Sequence, residues 1–285
     1  MWLDRKAENK MKDNRRVAIV GAGNIGAAIA RGISESGLLP PGHVTLTRRR
    51  VYLLDDMKEM GFCVEKNNTK AIGLADVIVI AVEPRQIDGL LEEISGSLLP
   101  EKHIVISVVT GVTISRLRKR VGPQIKILRA MPNTAIAVRE SMTCIATNLP
   151  HDEDVEYAFS LFESVGSVLE ISEDEMNAAT ALGACGIAFF LQAIRAASQG
   201  GVEIGLNGAE ALSIAAQTAK GAVELLRKTR NHPAQEIDKV TTPEGCTIAG
   251  LHRLEHEGFS SALINGIKAS ADKAAQLFPD FGPGK

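Results

Sequence analysis

The stretch VAIVGAGNIGAAIARGI, residues 17–33, decides how the chain is read. Val17, Ala18, Ile19 and Val20 form a short apolar run, and Gly21, Gly23 and Gly26 follow it in G-x-G-x-x-G spacing. A helical stretch over residues 25–35 comes next and stops at Gly37. Three spaced glycines alone are weak evidence. After an apolar strand and at the opening of a helix they read as a dinucleotide-binding turn. Gly21 permits the tight turn, Gly23 lets a pyrophosphate approach the backbone, and Gly26 lets helix and strand pack closely. Ala22, Asn24 and Ile25 complete the turn, where the helix start offers N–H donors and positive potential to phosphates.

Outward from the turn, apolar runs at residues 44–47, 77–82, 104–109, 125–130, 142–146 and 168–171 read as strands. Helices over 52–60, 87–98, 114–120 and 153–164 fall between them. The run at 77–82 is rich in β-branched residues, like a strand buried on both faces of a parallel sheet. This alternation predicts an α/β fold, with a doubly wound Rossmann sheet over residues 15–171. From Ser172 the strand signals stop. Ser172 with Glu175 forms a capping box, opening a long helix to about residue 199. Further helices are expected after the N-cap Asn207, from Thr242-Pro243 to Gly258, and over residues 260–277. Residues 172–285 thus read as an all-α domain, apolar enough to bury its surface against a partner subunit. The charged residues 1–14 read as a disordered extension, with Met11 as a candidate start.

The chain has 285 residues, 45% hydrophobic, 4% aromatic and 23% charged, with a formal net charge of -2. That balance argues against nucleic-acid or membrane-surface binding. Cys63, Cys144, Cys185 and Cys246 lie in no CxxC pair and near no His at ligand spacing, so neither a metal site nor a disulfide framework is expected. No uninterrupted apolar run approaches the roughly 20 residues that span a bilayer. The expected setting is a reducing cytoplasm.

The second strand ends on Thr47-Arg48-Arg49-Arg50, where an NAD-specific domain places an acid for the ribose 2′-hydroxyl. Guanidinium groups there suit a 2′-phosphate through charge-assisted hydrogen bonds. Arg48 and Arg49 therefore point to NADPH over NADH, with Arg50 as readily a solvated helix start.

Read with later segments, these residues resemble the pyrroline-5-carboxylate reductase family. Ala81-Val82-Glu83-Pro84 resembles its AVKP turn, with Glu83 replacing the usual Lys. SVVTGVT at 107–113 is similar to its S-x-x-(A/S)-G-V-T segment, and Arg129 to Thr134 to its R-x-M-P-N-T motif. VTTPEGCTIAGL at 240–251 resembles its V-T-S-P-G-G-T-T signature. Two departures stand out: Glu244 replaces a glycine, and ALGACGIAF at 181–189 replaces A-L-S-G-S-G-P-A-Y. By position, the resemblance implies that Asn68, Ala81, Val82, Glu83, Pro84, Val108, Val109 and Thr110 also line the nucleotide. It implies a homodimer or higher oligomer through the C-terminal helices.

The implied substrate is a small cyclic imine bearing a carboxylate. Its reduction needs a hydride donor, a carboxylate anchor and a proton on nitrogen, but no metal or nucleophile. Related hydroxyacid dehydrogenases carry a lysine in G-x-x-G-x-x-x-K; after Gly183 and Gly186 this chain has none. The anchor is expected at Thr242, Gly245, Cys246 and Thr247, a helix start offering N–H groups to an anion. Thr247 is read as the polar group nearest the imine nitrogen, a positioner or proton relay. Glu244 is expected to point outward. His232-Pro233 reads as shaping a turn, His252 and His256 as solvated, and Cys185 and Cys246 as small buried hydrophobes. Two rivals stay open: a related imine or hydroxyacid reductase with another substrate, and a non-enzymatic nucleotide sensor.

Overall fold

A computed structural model describes residues 15–276; the expected extension at 1–14 lies outside them. Eight strands are present: β1 (Val17–Val20), β2 (Val44–Thr47), β3 (Cys63–Glu65), β4 (Val77–Ile80), β5 (Ile104–Ser107), β6 (Lys126–Met131), β7 (Ser141–Ala146) and β8 (Gly166–Glu170). They form one sheet in the order β3-β2-β1-β4-β5-β6-β7-β8. All neighbours run parallel except β6 and β7, which pair antiparallel. The four strands β1, β2, β4 and β5 are buried along their whole length. Helices cover both faces of such a sheet, so its strands need no polar alternation.

The helices between strands are α1 (Asn24–Glu35), α2 (Asp55–Glu59), α3 (Asn68–Gly73), α4 (Ile87–Ile94), α5 (Ile114–Val121) and α6 (Glu153–Glu163). Two large apolar clusters fill the two faces. One gathers Ile29 and Ile33 of α1 with Leu161 and Phe162 of α6. The other gathers Leu90 and Leu91 of α4 with Leu117 of α5.

After β8 come α7 (Met176–Ala179), a π-helical turn at Thr180–Ala184, α8 (Gly186–Glu203), α9 (Gly208–Thr229), α10 (Pro233–Val240), α11 (Cys246–His256) and α12 (Phe259–Gln276). By contacts the described residues divide into two compact units, 15–184 with 271–276, and 185–270. In the second unit Ala211 is the one buried apolar side chain among the described residues. Phe190, Leu191, Leu212, Ile214, Val223 and Ile264 are each more than half exposed. Apolar burial is the main favourable term in folding, and this unit has almost none within the single chain.

Several elements differ from the sequence reading. β3 and α3 were not expected, because three and six residues are too short to show a period. The run at 77–82 ends as a strand at Ile80, although the Ala81 N–H still donates to the Val20 carbonyl of β1 at 2.8 Å. His232 is not a turn former but the N-cap of α10, where its Nδ1 accepts the Ala234 N–H and Gln235 accepts the His232 N–H. α11 begins at Cys246, not at Thr242. Cys246 is exposed and Cys185 half-buried, so neither is a buried hydrophobe within the chain. The helical stretch Glu173–Glu203 is long and apolar enough to cross a membrane by length and composition. The run count missed it because Gln192, Arg195, Ser198 and Gln199 interrupt it. A helix that dimerises through an apolar face has the same composition.

Candidate functional site

The glycine turn joins β1 to α1. Gly21 adopts φ +94°, a left-handed conformation that L side chains rarely take. A Cβ there would stand 2.8 Å from the Ala81 carbonyl oxygen, so β1 and the Ala81-Val82 segment meet across bare backbone. At Gly26 a Cβ would fall 2.7 Å from the Gly21 carbonyl oxygen. Gly23 differs: a Cβ there would meet nothing within 4 Å. The turn is therefore tight behind and open in front.

The end of β2 braces the turn. The Thr47 carbonyl accepts from the Gly21 N–H at 3.2 Å and the Ala22 N–H at 2.8 Å. Gly23 caps α1 with no side-chain bond, and the first turn of α1 carries no acid. An open front, an uncapped helix start and no competing carboxylate fit a pyrophosphate. The Ala22 side chain is in the core and Ile25 packs against it, while Asn24 is exposed at the mouth. Arg48 is half-buried and Arg49 exposed. Among the described residues neither has a carboxylate partner, which leaves both guanidinium groups for a ligand.

The remaining nucleotide-side residues stand at the carboxyl ends of neighbouring strands. Asn68 is the first residue of α3, whose cap is Asn67, accepting from the Lys70 N–H. Asn68 Oδ1 instead accepts from the Thr47 hydroxyl at 2.7 Å. Ala81, Val82 and Pro84 are half-buried after β4, and Glu83 is exposed and paired with Arg85 at 2.6 Å. Val108 and Thr110 are half-buried after β5. Val109 turns its side chain into the core, so only its backbone is available.

On the helical unit, Thr242 to Gly245 form a reverse turn ahead of α11. The Gly245 N–H donates to the Thr242 carbonyl at 3.0 Å, Pro243 takes the second position, and Glu244 the third at φ 58°. That is type II turn geometry, in which the third residue needs positive φ and favours glycine. A glutamate there carries a backbone penalty of about 1 kcal/mol. This turn explains the late start of α11: Thr242 closes the turn rather than capping the helix. Gly245 caps α11 without a side-chain bond, and no acid occupies the first helical turn.

Thr242, Gly245, Glu244, Ile248 and His252 line an open hollow of about 570 Å³ beside the turn. His252 is thus part of a surface that the sequence reading left to solvent, one helical face on from Gly245 and Ile248. His256 is absent from that lining. Cys246 and Thr247 are exposed at the first two positions of α11, outside the lining.

Comparison with known proteins sets the two units in context. Residues 173–277 match the family model described as pyrroline-5-carboxylate reductase dimerisation, and residues 16–111 match one described as NADP oxidoreductase coenzyme F420-dependent. Pyrroline-5-carboxylate reductase 1 of Dictyostelium discoideum is 47% identical over 94% of the chain, which spans about half (51%) of that relative's length. Pyrroline-5-carboxylate reductase 2 of the same organism is 44% identical over 93% of the chain and 94% of its own length.

The chain belongs to the pyrroline-5-carboxylate reductase family.

The crystal structure of Plasmodium falciparum pyrroline carboxylate reductase with NADP bound is similar to this chain, with a TM-score of 0.85 at 28% identity. The match covers 93% of this chain and 98% of that one. By the family model they match, residues 173–277 correspond to the family's dimerisation domain, in keeping with the exposed apolar side chains of the described helices.

Within this family member, two residues of the R-x-M-P-N-T motif do structural work that its pattern alone did not reveal. Arg129 on β6 is buried and pairs with Glu173 at 3.1 Å, and Glu173 also accepts the Ile114 N–H at 2.7 Å. Burial pulls the Arg129 guanidinium below its ordinary pKa, and the Glu173 carboxylate opposes that shift. Asn133 accepts from the Ala135 N–H and donates to the Gly183 carbonyl at 3.1 Å. Gly183 lies in the π-helical turn, where the regular helical ladder is interrupted and a carbonyl can take an outside donor.

Proposed function

We propose that this chain is a pyrroline-5-carboxylate reductase, an oxidoreductase that reduces the C=N bond of pyrroline-5-carboxylate with NADPH to give proline, the last step of proline synthesis. The observation that carries the reading is the near full-length match to a pyrroline-5-carboxylate reductase at 44% identity. The uncapped glycine turn gives that match a physical basis. NADPH, when bound, supplies the hydride equivalent.

The chain's own residues then have three tasks. The backbone from Gly21 to Gly26 holds the pyrophosphate, and Arg48 and Arg49 take the 2′-phosphate. Asn68 and the backbone of Ala81 to Pro84 and Val108 to Thr110 complete the nucleotide wall. At the substrate end, the N–H groups opening α11 bind the carboxylate, with the Thr242–Gly245 turn setting their approach. Thr247 orients the imine nitrogen or passes it a proton. No strong acid is required, because an imine is already electrophilic and basic enough to be reduced in its protonated form. The working assembly is a homodimer built through the helices of the dimerisation domain.

Steady-state oxidation of NADPH tests this. Turnover with pyrroline-5-carboxylate and formation of proline are expected. Turnover only of a different imine would favour a reductase of another substrate. Tight NADPH binding without turnover of any imine would favour a sensor.

A further inference from the structure

A chain of hydrogen bonds runs from the surface of α4 to the glycine turn. The Glu93 carboxylate accepts from Asn68 Nδ2 through both oxygens, each at 3.1 Å. Asn68 Oδ1 accepts from the Thr47 hydroxyl at 2.7 Å. Thr47 Oγ1 in turn lies 3.4 Å from the Gly21 nitrogen, whose N–H it shares with the Thr47 carbonyl.

The two ends of this chain have fixed polarity, and the middle does not. An ionised carboxylate can only accept and a backbone N–H can only donate, whereas an amide can turn over and a hydroxyl can point its proton either way. Glu93 therefore sets the direction of every link. It draws Nδ2 toward itself, which presents Oδ1 to Thr47. The Thr47 proton is then directed at Oδ1, and its lone pair faces the Gly21 N–H. Without the carboxylate the amide is free to turn. Nδ2 could then donate to Thr47 Oγ1, and the hydroxyl proton, deprived of Oδ1 as its acceptor, would no longer fix a lone pair toward the Gly21 N–H.

We infer that Glu93 is a positioning residue for the dinucleotide: it orients Asn68 and, through Thr47, steadies the start of the glycine turn. This rests on the reading that Asn68 and the turn hold the cofactor. Simple electrostatics makes the opposite forecast. Glu93 is exposed and negative, so removing it should relieve repulsion of an anionic cofactor and tighten binding.

The sign of the change decides between them. NADPH dissociation constants are measured by fluorescence titration on the full chain for wild type, Glu93→Ala, Glu93→Gln, Thr47→Val and the Thr47→Val/Glu93→Ala double variant. Melting temperatures close to wild type confirm that each variant is folded. Glu93→Ala is expected to weaken NADPH about three- to ten-fold, the worth of one net hydrogen bond. Glu93→Gln, which still offers an acceptor to Nδ2, is expected to weaken it less. The double variant should bind no worse than the weaker single one, because both changes cut the same chain. Equal or tighter binding by Glu93→Ala would overturn the inference, and so would additive losses in the double variant. A wild-type chain that failed to bind NADPH would instead overturn the cofactor reading beneath it.

Discussion

In the proposed function, Arg48 and Arg49 carry the cofactor preference as individual side chains. They follow β2 directly, at the place where an acid would select the unphosphorylated ribose, and no carboxylate of the described residues neutralises them. Charge-assisted bonds to a phosphate are worth more than neutral ones. The Arg48→Ala/Arg49→Ala variant is therefore expected to weaken NADPH about ten- to hundred-fold and NADH little. Titration of both cofactors checks this, and equal losses would remove the arginines from the 2′-phosphate. Glu244 shows what a motif hides at the same scale. Its mismatch with a glycine signature is visible in the sequence, but its left-handed backbone is visible only once the Thr242–Gly245 turn is seen. Glu93 was not legible at all. An exposed glutamate on a helix looks like solvated surface until its partner, 25 residues away in sequence, is known.

Among the elements, the long β-branched runs and the α1 turn were legible because each repeats a clear pattern over enough residues. β3 and α3 were not, since three and six residues are too short to show a period, and α10 was read only as a turn at His232-Pro233 although its eight residues form a helix. The antiparallel pairing of β6 with β7 was also hidden, because strand direction is set by the connection and not by composition. Its edge neighbour β8 is tied to α6 by a pH-sensitive contact. His151 bonds Glu156 and Glu170 through its two ring nitrogens, at 3.0 Å each. Its hydrogen bonds to Glu156 and then Glu170 raise its pKa above the ordinary 6.5. The gain from protonated His151 is thus full below that ordinary value and fades as pH rises through the raised one. Because the group is exposed, the effect is small. A His151→Gln variant should lose melting temperature at about pH 6 and match wild type at about pH 9. An equal loss at both values would show that the charge plays no part.

For the whole molecule, the decisive fact is a helical unit with almost no core of its own. Its exposed Leu212, Ile214 and Val223 need a covering surface, and the family's dimerisation domain supplies the reason. The 30.4 kDa chain is expected to sediment at twice that mass or more, with a melting temperature that rises with concentration. A Leu212→Glu substitution should shift it toward monomer and lower stability. A wild-type monomer at micromolar concentration, melting at a concentration-independent temperature, would contradict the assignment.

The proposed reaction delivers a hydride equivalent from NADPH to the imine carbon, a step that isotope transfer reads out. With NADPH deuterated at the transferring position of the nicotinamide, the proline formed should carry a single deuterium on the former imine carbon. Proline without the label, or no proline from an enzyme that binds NADPH tightly, would rule that reaction out.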